Sequence, residues 1–163
     1  MDLQTMHEQL RVLTDRAEIT DLVDRLLLSL DERKLDESWA RSTFTEDIRS
    51  ETPLGDHEGL QAMVQSTQEA LSRFDRTHHV GSNYVIDLGG EHATVRWNAI
   101  MTHMHPASRP TEQGQQAAAS FTVGGYFESE VIRTAHGWRF RRMTVHPVWT
   151  TGEPPLRTSP QNR

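Results

Sequence analysis

Nine histidines in a cysteine-free chain of 163 residues make imidazole the side chain best suited to move protons here. His78 and His79 open one strand-like segment, His103 and His105 close the next, and His146 stands late in the last. An imidazole titrates near neutrality, and a carboxylate beside it fixes its tautomer and stabilises its cation, which makes a general base. Asp31 is the candidate carboxylate. It directly follows the apolar helix LVDRLLLSL, where the helix dipole disfavours an acid. Facing water it is an ordinary loop-opening residue of the run DERKLDES; turned under the helix it needs a cationic or hydrogen-bonding partner. His7, His57, His92 and His136 fall in expected surface segments and are given no role.

The elements that must position these groups are legible from periodicity. Ile19, Leu22, Val23, Leu26, Leu27 and Leu30 recur at three- and four-residue spacing and predict a helix from Asp15 to Leu30, with Asp15 and Glu18 spaced as a capping box. A short helix over 36–41 turns Leu35 and Trp39 inward, and a third over 59–74 presents Leu60, Met63, Leu71 and Phe74. Residues 47–51 read as a short strand closed by the Pro53–Gly55 turn signals. Four long strands follow: 79–88 and 92–105 joined at Gly89-Gly90, then 121–134 and 138–149 joined by Ala135-His136-Gly137. The Gln- and Ala-rich stretch 106–119 reads as a long mobile loop, and 153–163 as a disordered tail. Helices first and strands after indicate a single α+β domain over 1–152, helices packed on one face of a curved, mostly antiparallel sheet.

Pairing outward from Gly89-Gly90 sets His78 and His79 roughly opposite His103. Adjacent strand residues face opposite sides, so one of the two points inward unless a bulge intervenes, whereas His103 and His105 share a face. His103-x-His105 has the spacing of a metal pair, with Glu112 and His146 as the remaining ligands of a cupin-like set. The spacing to Glu112 and the three leading helices do not suit that pattern, and no metal is expected. In the last strand Trp138, Phe140 and Arg142 should share one face, with Arg139, Arg141 and Met143 on the other, leaving Arg142 able to hold an oxyanion or the aspartate.

Composition removes whole classes. Without cysteine there is no disulfide, thiol nucleophile or cysteine-bound metal. A net charge of -6 with no basic stripe argues against nucleic acid. No apolar run approaches the ~20 residues of a membrane span, and MDLQTMHEQL is unlike a secretory signal, so a cytoplasmic chain is expected. Phosphate-binding and dinucleotide loops, HExxH and GxSxG are all missing, so no cofactor is expected.

The segments RAEITDLVDRLLLSLDERKLDESW, THHVGSNYVIDLGGEHATVRW and FTVGGYFESEVIRTAHGWRFRRMTVHPVW, in that order, resemble the SnoaL-like branch of the NTF2-like superfamily of cone-shaped α+β proteins. Scytalone dehydratase and hexachlorocyclohexane dehydrochlorinase look closest within it. Both are cofactor-free lyases in which a histidine is the base and an aspartate at the end of the first helix orients it. The resemblance places that aspartate at Asp31. It leaves the base open: a dehydrochlorinase-like spacing selects His79 with Asn83, preferred here, and a dehydratase-like spacing selects His78 with Gly81. His103 falls where the dehydratase carries a second histidine and is the implied acid. Neither the dehydratase's tyrosines nor the dehydrochlorinase's first-helix lysine has a counterpart. The implied function is dehydratase-type elimination on a small, hydrophobic, cyclic carbonyl compound, in a pocket whose candidate lining is Trp39, Asn83, Trp97, Met101, Phe121 and Arg142. The alternatives are a polyketide cyclase or ketosteroid-isomerase-like proton shuttle, and a non-catalytic ligand-binding or subunit-assembly module. The open sheet face implies a homodimer or homotrimer.

Overall fold

The computed structural model describes residues 2–108 and 119–155. Its elements run α1 (Leu3–Glu32), α2 (Glu37–Thr43), β1 (Phe44–Thr52), β2 (Gly55–Glu58), α3 (Leu60–Ser72), β3 (Arg76–Gly89), β4 (His92–Met104), β5 (Ser120–Thr134) and β6 (Gly137–Gly152). The strands form one sheet in the order β2-β1-β6-β5-β4-β3. Every neighbouring pair is antiparallel except β1 and β6, which run parallel, so the sheet is mixed. Strand β2 was not foreseen, because Gly-Asp-His-Glu carries none of the β-branched or aromatic residues that mark a strand. Most of the expected loop 106–119 and tail 153–163 falls outside the described residues.

The strict alternation of β4 builds the core. Ala93, Val95, Trp97, Ala99 and Met101 are all buried under the helices, while the residues between them face outward. Trp97 is fully buried and stacks on Phe127, ring centroids 4.7 Å apart. Ile19, Val23, Leu26 and Leu27 of α1 close on this face and fix the helix along the sheet. Among the described residues no helix is long and apolar enough to cross a membrane.

Two local expectations are corrected. Helix α1 begins at Leu3, capped by Asp2, which accepts from the Thr5 backbone N–H. Asp15 is therefore not a cap. It is buried and ion-paired to Arg133 of β5, whose guanidinium lies 4.6 Å from the Trp138 ring. The first turns were hidden because their apolar residues do not continue the core-facing pattern. In β6, Phe140 pairs with Val131 but Arg142 pairs with Glu130, so Arg141 is an extra residue in the ladder. That bulge turns Arg142 to the outer face, where it meets Glu51 at 2.6 Å, and turns Met143 inward beside Trp138 and Phe140.

Candidate active site

Asp31 occupies the last turn of α1, the wrong end of the helix dipole for an acid. Three donors on edge strand β3 compensate. Asp31 Oδ1 accepts from Thr77 Oγ1 at 2.9 Å and from His79 Nδ1 at 2.6 Å, and Oδ2 accepts from the His79 backbone N–H at 2.9 Å. Burial pushes the Asp31 carboxyl up, but the hydrogen bonds from the His79 ring and backbone and from Thr77 prevail and hold it below the usual carboxylate range. Because an ionised carboxylate only accepts, it fixes the proton of His79 on Nδ1 and leaves the Nε2 lone pair free. The His79 side chain is 4% exposed. Burial drives its pKa below the usual imidazole value despite the opposing pull of Asp31, so it is neutral at neutral pH.

His78 is the outward member of the pair: its side chain is 79% exposed and its Nδ1 lies 3.8 Å from Asp31 Oδ2. A bulge makes this choice. From the Gly89-Gly90 turn the register runs Leu88↔Ala93 and Ile86↔Val95, and it shifts between Ser82 and Val85, so that Thr77 rather than His78 pairs with His103. Within the bulge Asn83 adopts a left-handed backbone, φ 57°, which asparagine tolerates better than most residues. His79 is thereby placed on the face His103 already occupies. The two rings meet edge-on with centroids 5.5 Å apart.

His103 is held by the Phe121 carbonyl, 3.1 Å from its Nδ1, and by the Phe74 ring, centroid to centroid 4.6 Å. His105 shares the contact with Phe74 at 5.5 Å. Burial, reinforced by the neighbouring His79, lowers the His103 pKa to about 4. His103 is thus neutral at neutral pH, with Nδ1–H donating to Phe121 and Nε2 left as an acceptor.

Of the remaining sequence candidates, Met101 lies directly across from His79, and Phe121 contributes the carbonyl that orients His103. Trp97 is a core residue. Trp39 packs edge-on against Phe44 and lines a separate concavity of about 470 Å³ between the end of α1 and α2. Asn83 is exposed in the bulge, outside the cluster. Arg142 lines a concavity of about 600 Å³ on the outer sheet face, together with Glu51, Glu128 and His146. His146 pairs there with Glu128 at 3.0 Å, on the side of the sheet opposite His103, so the alternative metal set is not brought together; Glu112 lies outside the described residues.

Sequence reasoning missed Thr77 and Arg33. Thr77 is found only through tertiary contact. Arg33 carried one signal, its position just after Asp31 at the end of an apolar helix. It is the C-cap of α1 in a left-handed conformation, φ 60°, where glycine is usual. Its Nη2 donates to the Phe74 carbonyl at 3.4 Å, and its positive charge opposes protonation of both His79 and His103. It forms no ion pair among the described residues, whereas the nearby Lys34 and Arg76 are neutralised by Glu32 and Asp75.

A SnoaL-like domain model matches residues 11–144. The chain belongs to the SnoaL-like family. Solved structures extend the likeness at the level of fold. A candidate scytalone dehydratase of Novosphingobium aromaticivorans superposes with a TM-score of 0.74 at 22% identity, covering 93% of this chain and 95% of that one. A type 2 hexachlorocyclohexane dehydrochlorinase gives 0.73 at 18% identity, covering 95% and 99%. The Kfla4162 protein of Kribbella flavida gives 0.75 at 21% identity, covering 86% and 95%. No curated protein matches the sequence. The SnoaL-like family member thus has an NTF2-like fold whose structural neighbours include lyase-type enzymes.

Proposed function

We propose that this chain is a cofactor-independent lyase that takes the proton alpha to a carbonyl on a small, hydrophobic, cyclic substrate and expels a group beta to it. The observation that carries the reading is the half-buried Asp31–His79 contact of 2.6 Å, with a second donor, Thr77, on the same oxygen. Asp31 is the positioning residue and His79 the base. The His79 Nε2 lone pair takes the alpha proton, the C–H electron pair becomes the new double bond, and the leaving group departs with its own electrons. Asp31 then faces an imidazolium rather than a neutral ring, so the pair is stronger after proton transfer than before it. General base assistance of this kind is worth roughly 10²–10⁴-fold in rate.

The acid needs a different assignment from the one the sequence suggested. A neutral His103 whose Nδ1–H is committed to Phe121 has no proton to give. In this reading the His79 imidazolium protonates a leaving hydroxyl itself, and His103 Nε2 accepts a hydrogen bond from the substrate. Arg33 supplies the positive field toward which the enolate charge develops. The neutral His103 also favours a second reading, isomerisation or cyclisation, in which the same proton is removed and returned and no leaving group needs an acid.

Proton exchange separates these from a non-catalytic module. Simple cyclic ketones such as α-tetralone in deuterium oxide, and β-hydroxy ketones of the same ring size, are incubated with enzyme and followed by proton NMR. Alpha exchange together with enone formation supports the lyase. Exchange without elimination supports the isomerase. Neither, across the panel, removes proton abstraction as the function.

A further inference from the structure

Helix α1 is apolar on two opposite sides. Ile19, Leu22, Val23, Leu26 and Leu27 are buried against the sheet. A second row, Leu3, Met6, Leu10 and Leu13, is 72%, 44%, 61% and 65% exposed. At about 100° per residue this row lies roughly 160° around the helix from the core face, so the chain's own sheet cannot cover it. The alternating three- and four-residue steps are those of a heptad seam, continued by Ala17.

We propose that this row is a self-association seam, at which two copies of the chain pair through antiparallel α1 helices. The flanking side chains argue for a second copy as the occupant. Asp2, Gln9 and Arg16 follow one edge of the seam at seven-residue intervals. An antiparallel pair centred near Glu8 sets Leu3 against Leu13 of the other copy and Met6 against Leu10. The same register sets Asp2 beside Arg16, a contact made twice by the two-fold axis, and Gln9 beside Gln9 on the axis itself. Among the described residues Arg16 forms no ion pair and the Gln9 side chain makes no hydrogen bond. A parallel pair would direct Arg16 to Asp21, which Arg25 already holds at 2.6 Å, and would align the two helix dipoles unfavourably.

Two heptads are too few to sustain an isolated coiled coil. Here the costly nucleation is already met, because the helix is anchored from Asp15 onward by its buried face. A bilayer surface suits the seam less well. The positions that flank it carry Asp2, Gln9 and Arg16 on one edge and His7 and Thr14 on the other, not the basic belt that anionic lipid attracts.

The chain has no cysteine, so cross-linking can be placed at will. Under mild oxidation Gln9→Cys is expected to give a disulfide dimer, as is the double variant Leu3→Cys with Leu13→Cys, while Leu3→Cys alone stays uncross-linked. Leu10→Glu with Leu13→Glu, whose exposed positions leave the circular dichroism unchanged, should weaken association by at least about tenfold in sedimentation equilibrium. Four results would each overturn the seam: a wild-type monomer at high concentration, an oligomer untouched by the double glutamate variant, cross-linking of Leu3→Cys alone, or seam-dependent co-sedimentation of monomers with phosphatidylglycerol vesicles.

Discussion

Asp31→Asn removes one charge and changes almost no volume, and the site predicts its consequence in detail. The carboxylate accepts three hydrogen bonds, from Thr77 Oγ1, the His79 backbone N–H and His79 Nδ1. An asparagine amide offers a single acceptor atom. If its oxygen faces the His79 ring, its NH2 is driven against the His79 backbone N–H. If its oxygen takes the backbone N–H, its NH2 faces Nδ1, and the ring must move its proton to Nε2, which deletes the base. The second arrangement avoids a donor–donor clash and should prevail. Loss of charge-assisted bonds worth about 1.5–3 kcal/mol each, partly replaced by the amide, should leave the variant about 2 kcal/mol less stable. That corresponds to a Tm about 4–8 °C lower for a chain of this size. Alpha-proton exchange should fall by about 10³–10⁴-fold, the scale of a base held in the wrong tautomer. The His79 pKa should drop further, since its main upward influence is Asp31. Long-range ¹H–¹⁵N correlation spectra report the tautomer and deuterium incorporation the rate. A folded variant that keeps Nδ1–H, or one that exchanges within about tenfold of wild type, refutes the mechanism.

Other expectations follow from the same contacts. Arg33→Gly relieves a left-handed backbone that costs about 1 kcal/mol, so it should raise the Tm while lowering the exchange rate; a variant that is both more stable and fully active removes Arg33 from the chemistry. His103 should stay neutral until the pH nears its value of about 4. Because the unfolded chain binds that proton at about 6.5, the stability it contributes is complete above about 6.5 and is lost as the pH falls toward 4. Denaturant midpoints and the imidazole C2–H shift follow this together, and a His103 that titrates at an ordinary value removes its neutral-acceptor role. Asn83→Gly should fold as well as wild type, whereas Asn83→Val, forced into φ 57°, should cost about 1–2 kcal/mol and loosen the His79 orientation; equal stabilities would show that the bulge does not depend on this residue. Trp97→Ala should cost about 3–5 kcal/mol through its stack on Phe127 and its full burial, read by thermal melting; a small loss would show that Trp97 does not anchor the core.

The helices, the long strands and the β3–β4 hairpin were legible because each carries a period that burial enforces: 3.6 in Ile19–Leu27, two in Ala93–Met101. Strand β2 and the opening turns of α1 were not: neither buries a side chain in the core, and β2 holds none of the β-branched or aromatic residues that mark a strand. The ingredients of the site were equally visible. An aspartate stands at the wrong end of a helix, with two histidines at the start of one strand and two at the end of the next.

Choosing among them required the tertiary structure. Strand side chains alternate with a period of two, so a one-residue slip exchanges every inward residue for an outward one. The extra residue between Ser82 and Val85 makes that slip, and it alone moves His78 out and His79 in. The Arg141 bulge does the same to Arg142 and Met143. The sequence by itself determined the fold class and which residue types were available for proton transfer. Which of them meet was decided by two bulges and by a hydrogen-bond demand: the half-buried acid at the C-terminus of α1 is held by three donors that converge on it from β3.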